Sequence, residues 1–293
     1  MSEDALKQVV EKYHDMVPLG HWADQTVNYL KGNFQPFFNS IGAGIEWFAN
    51  SIEHSLLITP SWVLLLIFAG VGLWRRGALF AGFTLVSLLS IMAMEQWDAM
   101  VKTLALVLSS TFLSLLLGVP LGIWCAKSRR INALVRPVLD FMQTMPAFVY
   151  LIPAVFFFGV GQVPGLLSTI IFAMPPAVRL TTLGIRLVNK ELVEAGHAFG
   201  CTGAQLLFKV QLPTALPSIM AGVNQTIMMA LSMVIIASMV GASGLGDAVM
   251  GGISRMDIGL GFEGGLSVVL LAVILDRITE TFGNGRGKQQ AMS

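Results

Sequence analysis

Five stretches of this sequence contain no Asp, Glu, Lys or Arg: residues 54–74, 77–94, 103–126, 141–178 and 210–246. A helix of about 20 apolar residues crosses the hydrocarbon core of a bilayer, and only helices or closed barrels satisfy their backbone polar groups there. Uninterrupted apolar runs of this length require a stack of membrane helices. The composition agrees, with 55% apolar and 12% charged residues, where a soluble domain carries about 25% charged.

Two of the windows, 141–178 and 210–246, are too long for one span. The first divides at GVGQVPG, residues 159–165, whose glycines and proline mark a turn. The second opens with VQLPTALP, which stays at the polar side, so that its span starts near Pro217. Seven spans result, near 55–74, 77–94, 103–126, 142–160, 164–185, 217–241 and 264–282. Asp276, Arg277 and Glu280 must then sit near the end of the last. The expected fold is an all-α polytopic bundle of about seven transmembrane helices. Its parts are a tail (1–54), two peripheral spans (55–94), a core (95–285) with a long loop at 186–216, and a second tail (286–293).

The distribution of basic residues orients such a bundle. Arg75, Arg76, Lys127, Arg129, Arg130, Arg136, Arg179, Arg186, Lys190, Lys209, Arg277, Arg286 and Lys288 fall on one side, against five on the other. Because positive charge stays inside, the thirteen are cytoplasmic, with the N-terminus outside and the C-terminus in the cytoplasm. The opening residues MSEDALKQVVEKYHDM are acidic and lack an apolar core, so the first span serves as the insertion signal. In the outer tail Phe34, Phe37, Phe38, Ile41, Ile45, Trp47 and Phe48 recur at near-helical spacing. They fit either a helix lying on the membrane surface or one packed on the spans.

The loop 186–216 has its own structure. Asn189 can cap a helix whose first turn holds Glu191, and Val188, Leu192, Ala195 and Phe199 share one face of it. Gly200 ends that helix. Thr202, followed three residues later by Gln205, is a capping-box signature for a second helix running to Pro213. An apolar stripe with no partner inside the loop implies docking to another protein.

Glu194-Ala195-Gly196, three residues, Gly200, nine residues, then Val210-x-Leu212-Pro213 resembles the EAA loop of permease subunits in binding-protein-dependent ABC importers. That pattern reads E-A-A-x3-G-x9-I-x-L-P, with Gly196 here for the second alanine and Val210 for the isoleucine. Further segments resemble the glycine betaine/proline betaine permeases of that superfamily: QTMPAFVYLIPAVFFFGVGQVPG (143–165), AMPPAVRLTTLGIR (173–186), FKVQLPTALPSIMAGVNQTIMMALSMVIIASM (208–239) and LDRIT (275–279). The resemblance covers nearly the whole chain. It implies a type I ABC importer permease fold, working as a homodimer in the bacterial inner membrane. Two ATP-binding subunits would sit on the cytoplasmic side and a solute-binding protein outside, with Glu194, Ala195, Gly196, Gly200, Val210, Leu212 and Pro213 in the coupling loop. It also implies an ATP-driven import of glycine betaine, proline betaine, choline or carnitine by alternating access. ATP and magnesium would be bound by the partner, leaving this chain with no cofactor, no nucleic-acid partner and no catalysis of its own.

The residues themselves also argue against an enzyme. GNGRGKQQ, residues 283–290, is one residue short of a phosphate-binding P-loop, ends in Gln instead of Ser or Thr, and follows a membrane helix rather than a strand. His14, His21, His54 and His197 have no metal-ligand spacing, and Cys125 and Cys201 have none to each other. No nucleophile elbow or zinc signature is present.

Polar side chains inside a span usually face the bundle interior or a cavity. Asn224, Gln225 and Thr226 are the leading candidates for a solute pathway, although hydrogen bonding between helices serves the same chemistry. Gln143 and Thr144, near Pro146 and Pro153, form a second group, and Pro175-Pro176 a third with Arg179 one turn on. Gly118-x3-Gly122 permits close helix contact. Nine glycines in residues 241–265 suggest a flexible rim facing an outer partner, or a mobile connection. Besides a structural scaffold, which would not need the docking loop, two rival readings remain at this level. One is a permease of the same architecture for a sulfonate or nitrate. The other is a secondary transporter, which would need the intramembrane acidic relays that this sequence lacks.

Overall fold

The computed structural model describes residues 19–283, and every regular element in it is helical. Arg286, Lys288, most of GNGRGKQQ and the first 18 residues lie outside this range. Helix α1 (Leu19–Ile58) leads into α2 (Ser61–Arg76) and α3 (Ala78–Ala93), a hairpin that turns at Gly77 with φ +90°. After α4 (Trp97–Lys127) and α5 (Arg129–Thr144) come a 3-10 turn (Ala147–Tyr150) and α6 (Leu151–Phe158). Then follow α7 (Gln162–Arg186), α8 (Lys190–Ala198) and α9 (Gly203–Leu206). A π turn (Leu207–Gln211) joins α9 to α10 (Leu212–Ser238), and α11 (Leu245–Arg255) and α12 (Ile258–Gly283) complete the described chain.

Among the described residues, α4, α7, the run Gly203–Ser238 and α12 are each long and apolar enough to cross a membrane, and two bent pairs would raise the number of spans to six. One pair falls where a single span was expected near 142–160: α5 and the segment Ala147–Phe158 meet at 113°. The cause is local. Pro146 has no N–H to donate and its ring pushes the residue before it out of the helical region; Met145 accordingly sits at φ −72°, ψ 134°. A correction concerns 203–217. The helix begun at Gly203 does not end at Pro213 but runs through both prolines to Ser238. The proline rings follow a π turn in which the Leu212 N–H reaches back to the Leu207 carbonyl, so the hydrogen-bond ladder is already displaced where they enter.

The core is a three-helix sandwich of α4, α7 and α10 held at close range by small residues. Gly118 and Gly122 of α4 face Ala177 and Thr181 of the parallel α7. The antiparallel α7 and α10 meet at Gly165, Gly184 and Gly222, each too close to the other helix for an unadjusted side chain. Ser114 donates to the Ile170 carbonyl (3.0 Å) and Thr182 to that of Gly122 (3.0 Å), tying α4 to α7. Other buried hydroxyls, such as Ser109 and Thr169, donate to the carbonyl one turn back, which satisfies them without a partner helix. Leu104, Val107, Leu166, Leu231, Val234 and Leu271 fill the space between.

The glycine-rich segment 241–265 is no flexible rim. Most of it forms α11 and the start of α12, which pack backbone to backbone where Gly252 meets Gly261 and Gly264 meets Ala248. Gly246, Gly252 and Gly264 are there for close contact. The hydroxyl of Thr103, in α4, accepts the Leu245 N–H (2.8 Å) and caps α11.

Helix α1 packs on the bundle through one face: Phe38 stacks on Phe157 at 4.6 Å, Phe48 meets Phe112 at 5.3 Å, and Ile45 and Ala49 join the core. Phe34, Phe37 and Trp47 of the same helix stay exposed. Its contacts with Phe157, Phe158 and Gln162 lie at the end of α7 opposite Arg186. Thus α1 and the loop 186–216 occupy opposite ends of the molecule. At the loop end Arg179 pairs with Asp140, and Arg76 with Glu280, bringing the α2–α3 turn to the end of α12.

Candidate functional site

The module that begins at Asn189 is built from three local devices. The Asn189 side chain accepts the Glu191 N–H at 3.0 Å and starts α8. Gly200, at φ +75°, ends it, with the Cys201 N–H closing on the Gly196 carbonyl at 3.0 Å. Thr202 and Gln205 then form the reciprocal capping box, at 3.3 Å and 2.9 Å. Gly196 marks where the two short helices touch, since a Cβ there would lie 2.6 Å from Leu206 Cδ1. Leu207, Ile185 and Ala215, with Ile123 and Ile219 around them, fasten the module to α4, α7 and α10.

What remains outside is apolar. Phe199 is 89% exposed, Leu187 69%, Phe208 66% and Leu192 47%, and Ala195 is exposed with them. Val188 does not belong to this stripe: it is buried, because it precedes the cap and points back toward the cleft beneath α8. That cleft, about 310 Å³, is lined by Lys127, Arg186, Lys190, Glu194 and Gln211 among others. Glu194 and Pro213 are exposed, while Val210 and Leu212 are half-buried.

The second candidate set divides. Asn224 donates to Asp276 Oδ1 at 2.9 Å and accepts from the Thr279 hydroxyl, so it joins α10 to α12. Thr226 is buried on the far side of α10, with its hydroxyl returned to the Gly222 carbonyl (2.9 Å). Gln225 is exposed and, with Asn224, Met228, Thr279 and Glu280, lines a cleft of about 330 Å³. Gln143 and Thr144 are exposed at the α5 bend, the Thr144 hydroxyl bonded to the Phe141 carbonyl, and no described contact links them to Asn224. Sequence reasoning missed the partners Asp276 and Thr279. Their spacing of three residues with Glu280 next, inside an apolar helix, was the available signal.

The outward faces of the spans differ in kind. On α4 that face carries Leu116, Leu117 and Trp124, as lipid contact requires. On α10 it carries Ala221, Gln225, Met228 and Ser232, spaced at one helical face. A glutamine and a serine toward lipid are unfavourable. Asn224→Leu removes the amide and leaves Asp276 and Thr279 without it. The expected outcome is a loss of about 1–3 kcal/mol, read as a lowered Tm in detergent; an unchanged Tm would show that the pairing contributes nothing.

Residues 118–285 match the family described as "binding-protein-dependent transport system inner membrane component". The glycine betaine transport system permease protein OpuAB of Bacillus subtilis (strain 168) is 48% identical over 90% of this chain and 94% of its own length. The glycine betaine/carnitine transport permease protein GbuB of Listeria monocytogenes serotype 1/2a (strain 10403S) is 49% identical over 94% and 98%. The glycine betaine/proline betaine permease ProW of Escherichia coli (strain K12) is 46% identical over 94% and 78%. Among solved structures, a chain of the inward-facing MetNI methionine ABC transporter aligns with TM-score 0.57 at 23% identity, covering 69% of this chain and 98% of that one, a likeness of fold.

Proposed function

This chain belongs to the family of inner-membrane components of binding-protein-dependent transport systems, and from that premise we propose that it is the permease subunit of an ATP-driven importer for glycine betaine and related quaternary amines. The observation that carries the reading is the continuity of one helical run from Gly203 to Ser238. Its lower end belongs to a module with an exposed apolar face, and its middle part lines a cleft with Asn224 and Gln225. A partner that moves the module therefore moves the cleft.

In this reading Leu192, Ala195 and Phe199 enter a groove of a cytoplasmic ATPase subunit. Glu194 and Gly196 belong to the helix that docks, Gly200 sets the angle between its two arms, and Val210, Leu212 and Pro213 join it to α10. ATP and magnesium are held by that ATPase, one copy for each of two permease chains. Closure of the ATPases tilts α10 and opens the cavity to the outside, where a binding protein delivers solute near α1 and α6; hydrolysis returns it inward. The N-terminus is outside and the C-terminus in the cytoplasm. Gln225, with its neighbours on the α10 face, lines the path between the two copies, and Asn224 fixes that face to α12. Gln143 and Thr144 meet the path from the bend after α5, with Thr226 packed behind it.

The relatives named for glycine betaine, proline betaine and carnitine support compact N-methylated zwitterions as the solutes. The test is uptake of labelled glycine betaine and choline into proteoliposomes holding this chain, its ATPase and its binding protein. The expected result is uptake that requires all three and ATP. Uptake by this chain alone would sink the reading.

A further inference from the structure

We propose that the cleft between α5 and α7 is a binding site for the phosphodiester headgroup of an anionic phospholipid. It has a volume of about 300 Å³ and is lined by Arg136, Arg179, Arg186, Asn132, Thr182 and Asp140 among others. Three guanidinium groups against one carboxylate leave a net charge of +2 at a cleft beside the end of a membrane span. Their local partners do not use them up. Asp140 pairs with Arg179, Arg186 donates to the Cys125 carbonyl (2.6 Å), and Arg136 has neither an ion pair nor a hydrogen bond to any described residue.

The surroundings select a lipid over a free anion. Helix α5 is amphipathic along its length: Ile131, Val135 and Leu139 turn inward onto Cys125 and Val178. Leu134, Val138 and Phe141 repeat at four and three residues and remain exposed. The bend after Thr144 takes this helix off the course of a straight span, so its apolar stripe can lie among acyl chains beside the basic cleft. Basic pockets between membrane helices on the cytoplasmic side are where phospholipid headgroups bind, and arginine suits a phosphodiester because its fork offers two parallel donors. The inference is independent of which solute is carried.

The experiment is native mass spectrometry of the full-length chain, delipidated and then titrated in separate arms with phosphatidylglycerol, phosphatidylcholine and inorganic phosphate. Wild type should retain phosphatidylglycerol at least about 5-fold better than phosphatidylcholine. Arg136→Gln should lower that retention about 5-fold with Tm unchanged, because the side chain supports nothing else. Arg255→Gln, an exposed arginine of α11 outside the cleft, is the control for bulk charge and should leave retention as it was. Equal retention of the two lipids, equal losses from both arginine variants, or displacement of phosphatidylglycerol by inorganic phosphate would each overturn the proposal. A chain that retains phosphatidylglycerol but fails the uptake assay leaves this site standing and removes the transport reading.

Discussion

Phe199→Asp is expected to leave the chain folded and inserted while reducing ATP-driven uptake at least ~10-fold. In the isolated chain Phe199 is 89% exposed, so its removal takes away no packing. Any effect must act through a partner. An aromatic anchor at the centre of an interface contributes roughly 2–4 kcal/mol, which corresponds to about 30- to 1000-fold in affinity. An aspartate also brings a charge into a groove that receives a ring. The measurement is uptake of labelled glycine betaine alongside co-purification of the ATPase subunit. Normal uptake would remove the docking role from this face. Leu192→Asp should follow the same pattern more weakly, since Leu192 is less exposed and smaller.

The second large effect concerns folding. Gly122→Leu is expected to abolish recovery of folded protein from the membrane. A Cβ at Gly122 would stand 2.8 Å from both Thr181 Cβ and the Val178 carbonyl oxygen, and a leucine would add three more carbons to that contact. Forcing α4 away from α7 also breaks the bond from Thr182 to the Gly122 carbonyl. Overpacking of this kind costs at least about 1–3 kcal/mol, and more where the obstacle is backbone. Gly70→Leu is the matched control. It lies in α2 with nothing near its missing Cβ, so the same enlargement should leave yield and Tm unaltered. If both variants purified equally well, the close seam between α4 and α7 would be wrong.

Local chemistry made much of this structure legible beforehand. The caps at Asn189 and Thr202 and the break at Gly200 depend only on residues within three positions of one another, and each forms as its sequence predicts. The seam at Gly118 and Gly122 was likewise readable as an opportunity for close contact. What escaped depends on longer range. Val188 lies on the helical periodicity of Leu192 and Phe199 but precedes the cap, where the chain has turned, so it faces inward. Pro213 and Pro217 looked like a helix end because a π turn that accommodates them leaves no signature in composition. The glycines of 241–265 looked mobile for a similar reason. Glycine permits either a flexible backbone or the closest packing, and only the presence of α12 opposite Gly252 selects the second. The pairing of Asn224 with Asp276 spans 52 residues, so the polar group in the last helix was visible in the sequence but its partner was not.

The unbroken run from Gly203 to Ser238 has a mechanical consequence. At 1.5 Å per residue its 36 residues make a rod ~54 Å long, so a tilt of about 5° at one end sweeps the other through ~5 Å. Its stiffness is not uniform. From Ala215 upward the rod is braced against its neighbours by the close approaches at Gly184 and Gly222 and by the hydrogen bonds of Asn224. Between Leu207 and Pro217 it contains one π turn and two residues that donate no hydrogen bond. The departures from a regular hydrogen-bond ladder are therefore concentrated in the few residues next to the exposed apolar face, like a flexure at the foot of a rigid arm. A displacement at the foot is then shared between bending there and tilting of the arm above.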